Sequence, residues 1–266
     1  MQLKHIAIHS VPRSGSTWLG EIINSSPIVK YCYQPLFSYA FKDALSENST
    51  EIDISNFFNA ISVSDDEFIS QLSSRETGRL PKFRKSYPLT HTAYKEVRYH
   101  HLLPNLLASS TDLKTILLVR NPVEVMNSWI CAPKEFDPSW NIRDELFEAT
   151  RKNLSQKENF YGLRLWADTA HRFENLANKY PERVYLVNYL HLKTDPLGIT
   201  KNLFDFCDIQ LSDQTYDFIA ISSKTIDDDK YSVFRGGAGS EITLEQSIIC
   251  TIEKYATQRG LQHYLS

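Results

Sequence analysis

Apolar and polar positions along the chain alternate in two rhythms, one of period two and one of helical spacing. Residues 5–11 (His5-Ile6-Ala7-Ile8-His9-Ser10-Val11) read as a short strand. A small polar turn follows, and then Trp18, Leu19, Ile22 and Ile23 recur at helical spacing. That spacing predicts a helix over residues 16–25, with Ser16 or Thr17 as its cap. Ser25-Ser26-Pro27 ends it, because the residue before a proline avoids helical dihedrals. Residues 28–33 predict a second strand, with a turn at Gln34-Pro35-Leu36-Phe37. Further strands are predicted over 92–98, 114–120 and 184–189. The run Thr115-Ile116-Leu117-Leu118-Val119, bounded by Lys114 and Arg120, has the continuous apolar character of a buried parallel strand. Helices are predicted over 102–108, 123–129, 142–153, 160–180, 199–206 and 244–258, the fourth carrying Leu163, Trp166, Ala170, Phe173 and Leu176 on one face.

Strands alternating with helices predict an α/β fold, a parallel β-sheet flanked by helices on both faces, as a single domain over residues 1–266. Residues 42–90 break the rhythm. They hold Ser/Asn/Asp clusters, a helix near 66–72 and a mixed-charge run from Arg75 to Lys85, and are expected to form an excursion over the substrate side.

Composition narrows the function. Hydrophobic content of 42% and charged content of 23% are those of a soluble globular chain. A net charge of -3 argues against a general nucleic-acid binder without excluding a local cationic pocket. No run approaches the ~20 apolar residues of a membrane span, and the N-terminus has no signal-peptide pattern. Cys32, Cys131, Cys207 and Cys250 form no CxxC pair, so reduced thiols in a cytoplasmic protein are expected, without a disulfide framework or zinc site.

The chemistry concentrates in the first turn. Strand, tight glycine-containing turn, helix is the arrangement that aims backbone N–H groups and a helix N-terminus at an anion. Arg13 adds a positive charge, and Ser14, Ser16 and Thr17 add hydroxyls. The turn lacks the Gly-Lys-Ser/Thr end of a Walker loop and the three glycines of a dinucleotide fingerprint. The strand over 114–120 ends in Arg120 rather than a metal-holding Asp, which points to direct contact with an anion.

These residues carry a resemblance. Pro12-Arg13-Ser14-Gly15-Ser16-Thr17-Trp18-Leu19 resembles the 5′-phosphosulfate loop of sulfotransferases, enzymes that use 3′-phosphoadenosine 5′-phosphosulfate (PAPS). Leu118-Val119-Arg120-Asn121-Pro122, with Ser128 eight positions after the arginine, resembles the family's 3′-phosphate motif. Tyr189-Leu190-His191-Leu192 with Asp195-Pro196, and Phe234-Arg235-Gly236-Gly237, are similar to two further family segments, all four in the family's order. Lys95-Glu96-Val97-Arg98 looks most like the carbohydrate 6-O-sulfotransferases, which are usually membrane-anchored; the chain would be a soluble relative.

The resemblance implies a P-loop-like fold, PAPS as donor, no metal, and a carbohydrate or small-molecule acceptor, with no nucleic-acid or membrane partner; oligomeric state stays open. It implies that Arg13 stands where many members carry Lys, and that Ser14, Gly15, Ser16 and Thr17 cradle the 5′-phosphate. Trp18 would stack on adenine, beside Tyr189; Arg120 and Ser128 would hold the 3′-phosphate, and Arg235, Gly236 and Gly237 would close over it. A tryptophan opening an amphipathic helix and a strand tyrosine can equally be core residues, so those alternatives stay open. Lys95 matches the family's strand lysine at the transferring sulfuryl group. The proton acceptor is not evident: Gln34 stands where related carbohydrate enzymes place a Glu, and Val97 where small-molecule members place a His. His100 is carried forward as the expected catalytic base, with His9, His101 and Glu96 behind it. Two other functional classes remain: a P-loop small-metabolite kinase, and a nucleotide-binding protein without catalytic activity.

Overall fold

The computed structural model describes residues 3–224, 232–234 and 241–265. Its five strands are β1 (Lys4–Ser10), β2 (Val29–Tyr33), β3 (His91–Glu96), β4 (Lys114–Val119) and β5 (Val184–Asn188). They form one parallel sheet in the order β2-β3-β1-β4-β5. The alternation of strand and helix leads to this outcome because parallel neighbours need crossover connections, which helices supply.

The helices described are α1 (Ser16–Asn24), α2 (Glu51–Val63), α3 (Glu67–Ser70), α4 (Leu72–Glu76), α5 (Leu103–Ser109), α6 (Pro122–Ile130), α7 (Ile142–Glu145), α8 (Thr150–Asn153), α9 (Leu163–Lys179), α10 (Tyr189–Thr194), α11 (Pro196–Phe206), α12 (Asp213–Ser222) and α13 (Gln246–Gln258). Period-two alternation sends Ile6, Ile8, Ile116 and Leu118 to one face, where they pack with α1, α11 and α12. Leu117 and Val119 face the other way, onto α6, α9 and α13, around Trp129, Trp166 and Phe173. Ala7 and Tyr94 pack on that same side against Phe57 and Phe58 of α2.

Several sequence expectations need correction. The strand expected over 92–98 stops at Glu96, so Val97 and Arg98 lie in a turn. The single helix expected over 142–153 is two short ones, α7 and α8, because Ala149 between them takes a left-handed φ of 46°. Residues 42–90 contain a full helix, α2, which the sequence reading passed over. Thr50 and Asp53 cap it reciprocally, and Ile54, Phe57, Phe58 and Ile61 fill its buried stripe.

The strand order reverses beside β1. From there the chain runs to β2, returns to β3, and only then crosses to β4 on the opposite side. In open parallel sheets that reversal opens a crevice at the carboxyl ends of the strands. The turns after β1 and β4 meet there.

Candidate active site

The turn between β1 and α1 is bent by two left-handed residues, Arg13 (φ 65°) and Gly15 (φ 84°). Gly15, not Ser16 or Thr17, is the N-cap of α1, and among the described residues no side chain caps the helix's first amides. The first-turn N–H groups are left to a ligand, and the helix dipole favours an anion there. Glycine is required for a second reason. A Cβ on Gly15 would stand 2.5 Å from Cε2 of Tyr189. The Ser14 hydroxyl is buried in this turn with no partner among the described residues.

The second turn, between β4 and α6, is fixed by Asn121, whose side chain accepts from the Val123 amide at 2.9 Å, and by Pro122 at the first helical position. Arg120 at the end of the strand is 8% exposed. Its Nε donates to Glu124 at 2.6 Å and its Nη1 to the Arg13 carbonyl at 3.2 Å. Its guanidinium lies 4.5 Å from the centre of the Tyr189 ring. Arg13 in turn donates from Nε to the Ser128 hydroxyl on α6, at 3.3 Å. The first turn is thus bonded both to the second turn and to the helix that follows it.

Trp18 on α1 donates from its indole nitrogen to Ser222 of α12 at 2.9 Å and meets the Tyr189 ring edge-on, the centroids 6.4 Å apart. Tyr189 is not in a strand; it opens α10, capped by Asn188. Arg13, Gly15, Ser16, Thr17, Trp18, Arg120, Ser128 and Tyr189 all line one cavity of about 710 Å³, and Phe234 reaches it from the C-terminal segment. Arg235, Gly236 and Gly237 lie outside the described residues.

The other half of the cavity is lined by Tyr33, Gln34, Phe37, Phe68, Lys95 and Glu135, with further residues of the 71–80 segment. Lys95 on β3 is 2% exposed, with its ammonium 4.1 Å from the centre of the Tyr33 ring. Burial draws its pKa down, against the pull of the Glu96 carboxylate. Glu96 is fully buried, which pushes its pKa up, and its Oε1 accepts from the Leu36 amide at 2.9 Å. Glu96 therefore shapes the turn bearing Gln34 and Phe37 and does not line the cavity.

His100 does not line the cavity either. It is fully buried, its Nδ1 is 3.0 Å from Nδ1 of His9, and its ring packs against Phe160 and Phe173. Burial, followed by the neighbouring His9, holds its pKa well below the ordinary histidine value. The sequence reading passed over Glu135. It sits in a polar loop after α6 that matches no motif, and it enters the cavity only through the way that loop folds.

The residues present suit a ligand with two phosphate groups. One anion position is marked by the uncapped α1 terminus with Ser16 and Thr17, a second by Arg120 and Ser128; Ser14, expected in the cradle, is fully buried and does not line the cavity. Among the described residues no cluster of His, Cys, Asp and Glu is arranged to hold a metal ion, and no helix is long and apolar enough to cross a membrane.

Comparison with known proteins agrees with this geometry. Among solved structures, the mouse sulfotransferase SULT7A1 complexed with PAP is similar at a TM-score of 0.56 and 16% identity, over 96% of this chain and 83% of that one. Retinol dehydratase in complex with androsterone and inactive cofactor PAP is similar at 0.56 and 15%, over 96% and 80%. The sulfotransferase domain from the Synechococcus PCC 7002 olefin synthase is similar at 0.52 and 18%, over 96% and 95%. These likenesses establish the shared fold. No curated protein matches the chain at the level of sequence. The model of the sulfotransferase domain family matches residues 3–230, and the chain belongs to that family.

Proposed function

We propose that this protein moves a sulfuryl group from PAPS to a hydroxyl, or an amine, of a sugar or small-molecule acceptor by in-line displacement. The observation that carries the reading is the first turn bonded to the second turn and to the helix after it, with anion-binding groups of all three presented to one cavity. The PAP carried by the mouse sulfotransferase and by retinol dehydratase supports the choice of donor.

Bound in this cavity, PAPS supplies the sulfuryl group and a phosphate leaving group. Gly15, Ser16 and Thr17 hold the 5′-phosphate through hydroxyls and helix amides, with Ser14 buried beneath them in the same turn. Arg13 stabilises the charge that develops on the bridging oxygen; as a guanidinium it does this electrostatically and keeps its own proton. Arg120 and Ser128 hold the 3′-phosphate, with Arg235, Gly236 and Gly237 assigned to the same group. Trp18 and Tyr189 take the adenine face. Lys95 faces the transferring group, because an anionic oxygen beside it restores the charge that burial disfavours. Catalysis rests on alignment and on positive charge placed before the reaction begins. The free cysteines support a reducing, cytoplasmic setting.

Calorimetry with adenosine 3′,5′-bisphosphate tests the donor site without needing the acceptor. The wild type binds, and Arg120→Ala weakens binding by about tenfold to a hundredfold, the loss of a charge-assisted contact. A wild type that does not bind, or binding unchanged by the substitution, would sink the reading.

A further inference from the structure

We propose that Glu135 accepts the proton released by the acceptor hydroxyl during transfer, an assignment that rests on the function proposed above. Among the described residues lining the cavity, Glu135 is the sole carboxylate, and no imidazole is present there. Gln34 and Val97 cannot take a proton, His100 is sealed in the core, and Glu96 is committed to the Leu36 amide. Lys95 faces the same space, but a lysine serving as base would have to give up the positive charge that the transferring group needs.

The loop that carries Glu135 is anchored on both sides. Its backbone N–H donates to the Ala132 carbonyl at 2.8 Å, and its carbonyl accepts from the Trp129 indole at 3.2 Å. The next residue, Phe136, is buried against Trp129, ring centroids 5.2 Å apart. Trp129 follows Ser128 on α6, so the predicted 3′-phosphate ligand and Glu135 are positioned by one helix end. The carboxylate accepts from the Tyr161 hydroxyl at 2.8 Å and pairs with Lys152 of α8 at 2.5 Å, while its side chain keeps 24% exposure. That exposure separates it from Glu96. It can meet an incoming molecule.

Lys95 from β3, Tyr33 from β2 and Arg13 from the first turn line the same cavity as Glu135. Lys152, Tyr161 and Arg13 hold its pKa below the ordinary carboxylate range against the opposing effect of burial, so it is ionised and ready to accept. Such a carboxylate is a weak base on its own. Anions bound beside Arg13 and Lys95 offset those cations and strengthen it, so the base is made competent by donor binding.

The step balances as follows. The acceptor oxygen forms a bond to sulfur as the bond from sulfur to the bridging oxygen breaks, leaving its electron pair on the 5′-phosphate. The acceptor's proton passes to the Glu135 carboxylate, and the neutral acid returns it to solvent.

The test uses Glu135→Gln with phenol and 4-nitrophenol as probe acceptors, the second at a pH where it is already ionised. Transfer from PAPS to phenol falls about 10²–10³-fold, while transfer to 4-nitrophenolate, which brings no proton, changes by less than about threefold. A second readout needs no turnover. In the complex with adenosine 3′,5′-bisphosphate, bound 4-nitrophenol gains its phenolate absorbance at lower pH in the variant, because the repelling carboxylate is gone. Equal losses toward both acceptors, undiminished transfer to phenol, or identical titrations of the bound phenol would each overturn the assignment. Calorimetric binding of adenosine 3′,5′-bisphosphate stays within about twofold of wild type, and its absence from the wild type would point instead to failure of the donor-site reading.

Discussion

Arg13, Gly15, Arg120 and Ser128 hang from the turns and helix that follow two adjacent strands, whereas Gln34, Phe68, Gln71 and Glu135 come from loops, turns and short helices around the rim. The half proposed to hold the donor is placed by backbone geometry: a left-handed glycine, a capped helix opening on a proline, and strands in fixed register. Apart from Tyr33 and Lys95, which the sheet itself holds, the half proposed for the acceptor is placed by side chains that reach back into that frame. Arg75 of α4 extends two hydrogen bonds, at 2.8 and 2.9 Å, to Glu21 on the buried face of α1. Lys85 bonds the Asn24 carbonyl at the same helix's end. One half can therefore vary its residues with little effect on the frame, and the other cannot.

Cutting the link between the halves has the largest expected effect. Arg75→Ala strands a Glu21 side chain that is 1% exposed, and removing one partner of a buried pair costs about 3–5 kcal/mol. A lowered urea midpoint would report it; a loss under about 1 kcal/mol would mean that apolar packing alone docks the excursion. The donor half is next. Gly15→Ala must hold a left-handed φ at about 1–2 kcal/mol and displace the Tyr189 ring, so affinity for adenosine 3′,5′-bisphosphate drops more than about tenfold. Combining it with Tyr189→Ala separates the two costs, since only the ring contact is relieved.

The third effect is smaller and depends on pH. His9 and His100 are buried in contact beside the first turn; burial draws His9 down to about 3 and His100 well below its ordinary value. The unfolded chain takes up these protons below about pH 6.5 and the folded one does not. Stability is therefore present in full well above that pH and is lost as pH falls, by about 1 kcal/mol per imidazole between pH 6.5 and 5.5 and approaching about 1.4 kcal/mol per pH unit below that. Urea midpoints measured between pH 6.5 and 5.5 check the slope, and His9→Gln should reduce it.

The donor half was legible because its chemistry lies in contiguous stretches. His5 to Leu19 and Lys114 to Ser128 each hold strand end, turn and helix start in one continuous stretch. The sheet followed from the same runs. The bond from Arg13 to Ser128 was not legible, since it joins residues 115 positions apart through the pairing of β1 with β4. Glu135 was hidden for a related reason. Its neighbours Arg13, Lys95 and Tyr161 come from three distant segments, and no local pattern marks it. The α2 stripe was present in the sequence, with Thr50 and Asp53 as its start signal, but Ser and Asn between the apolar positions masked it. α12 hid its inward face behind Thr215 and Ser222, both fully buried.

The grip of Glu96 on the turn after β2 bears on how readily the enzyme can be redirected. The carboxylate holds the Leu36 backbone amide, and the Gln34 and Phe37 amides go to the Lys95 and Gln34 carbonyls, so the loop's path is specified without help from the side chains it projects into the cavity. Gln34 and Phe37 are in that sense exchangeable parts on a fixed mount, with Asn or Gly the easiest replacements at position 34, where φ is 41°. A library at these two positions would sample new acceptors while leaving the donor machinery as it stands.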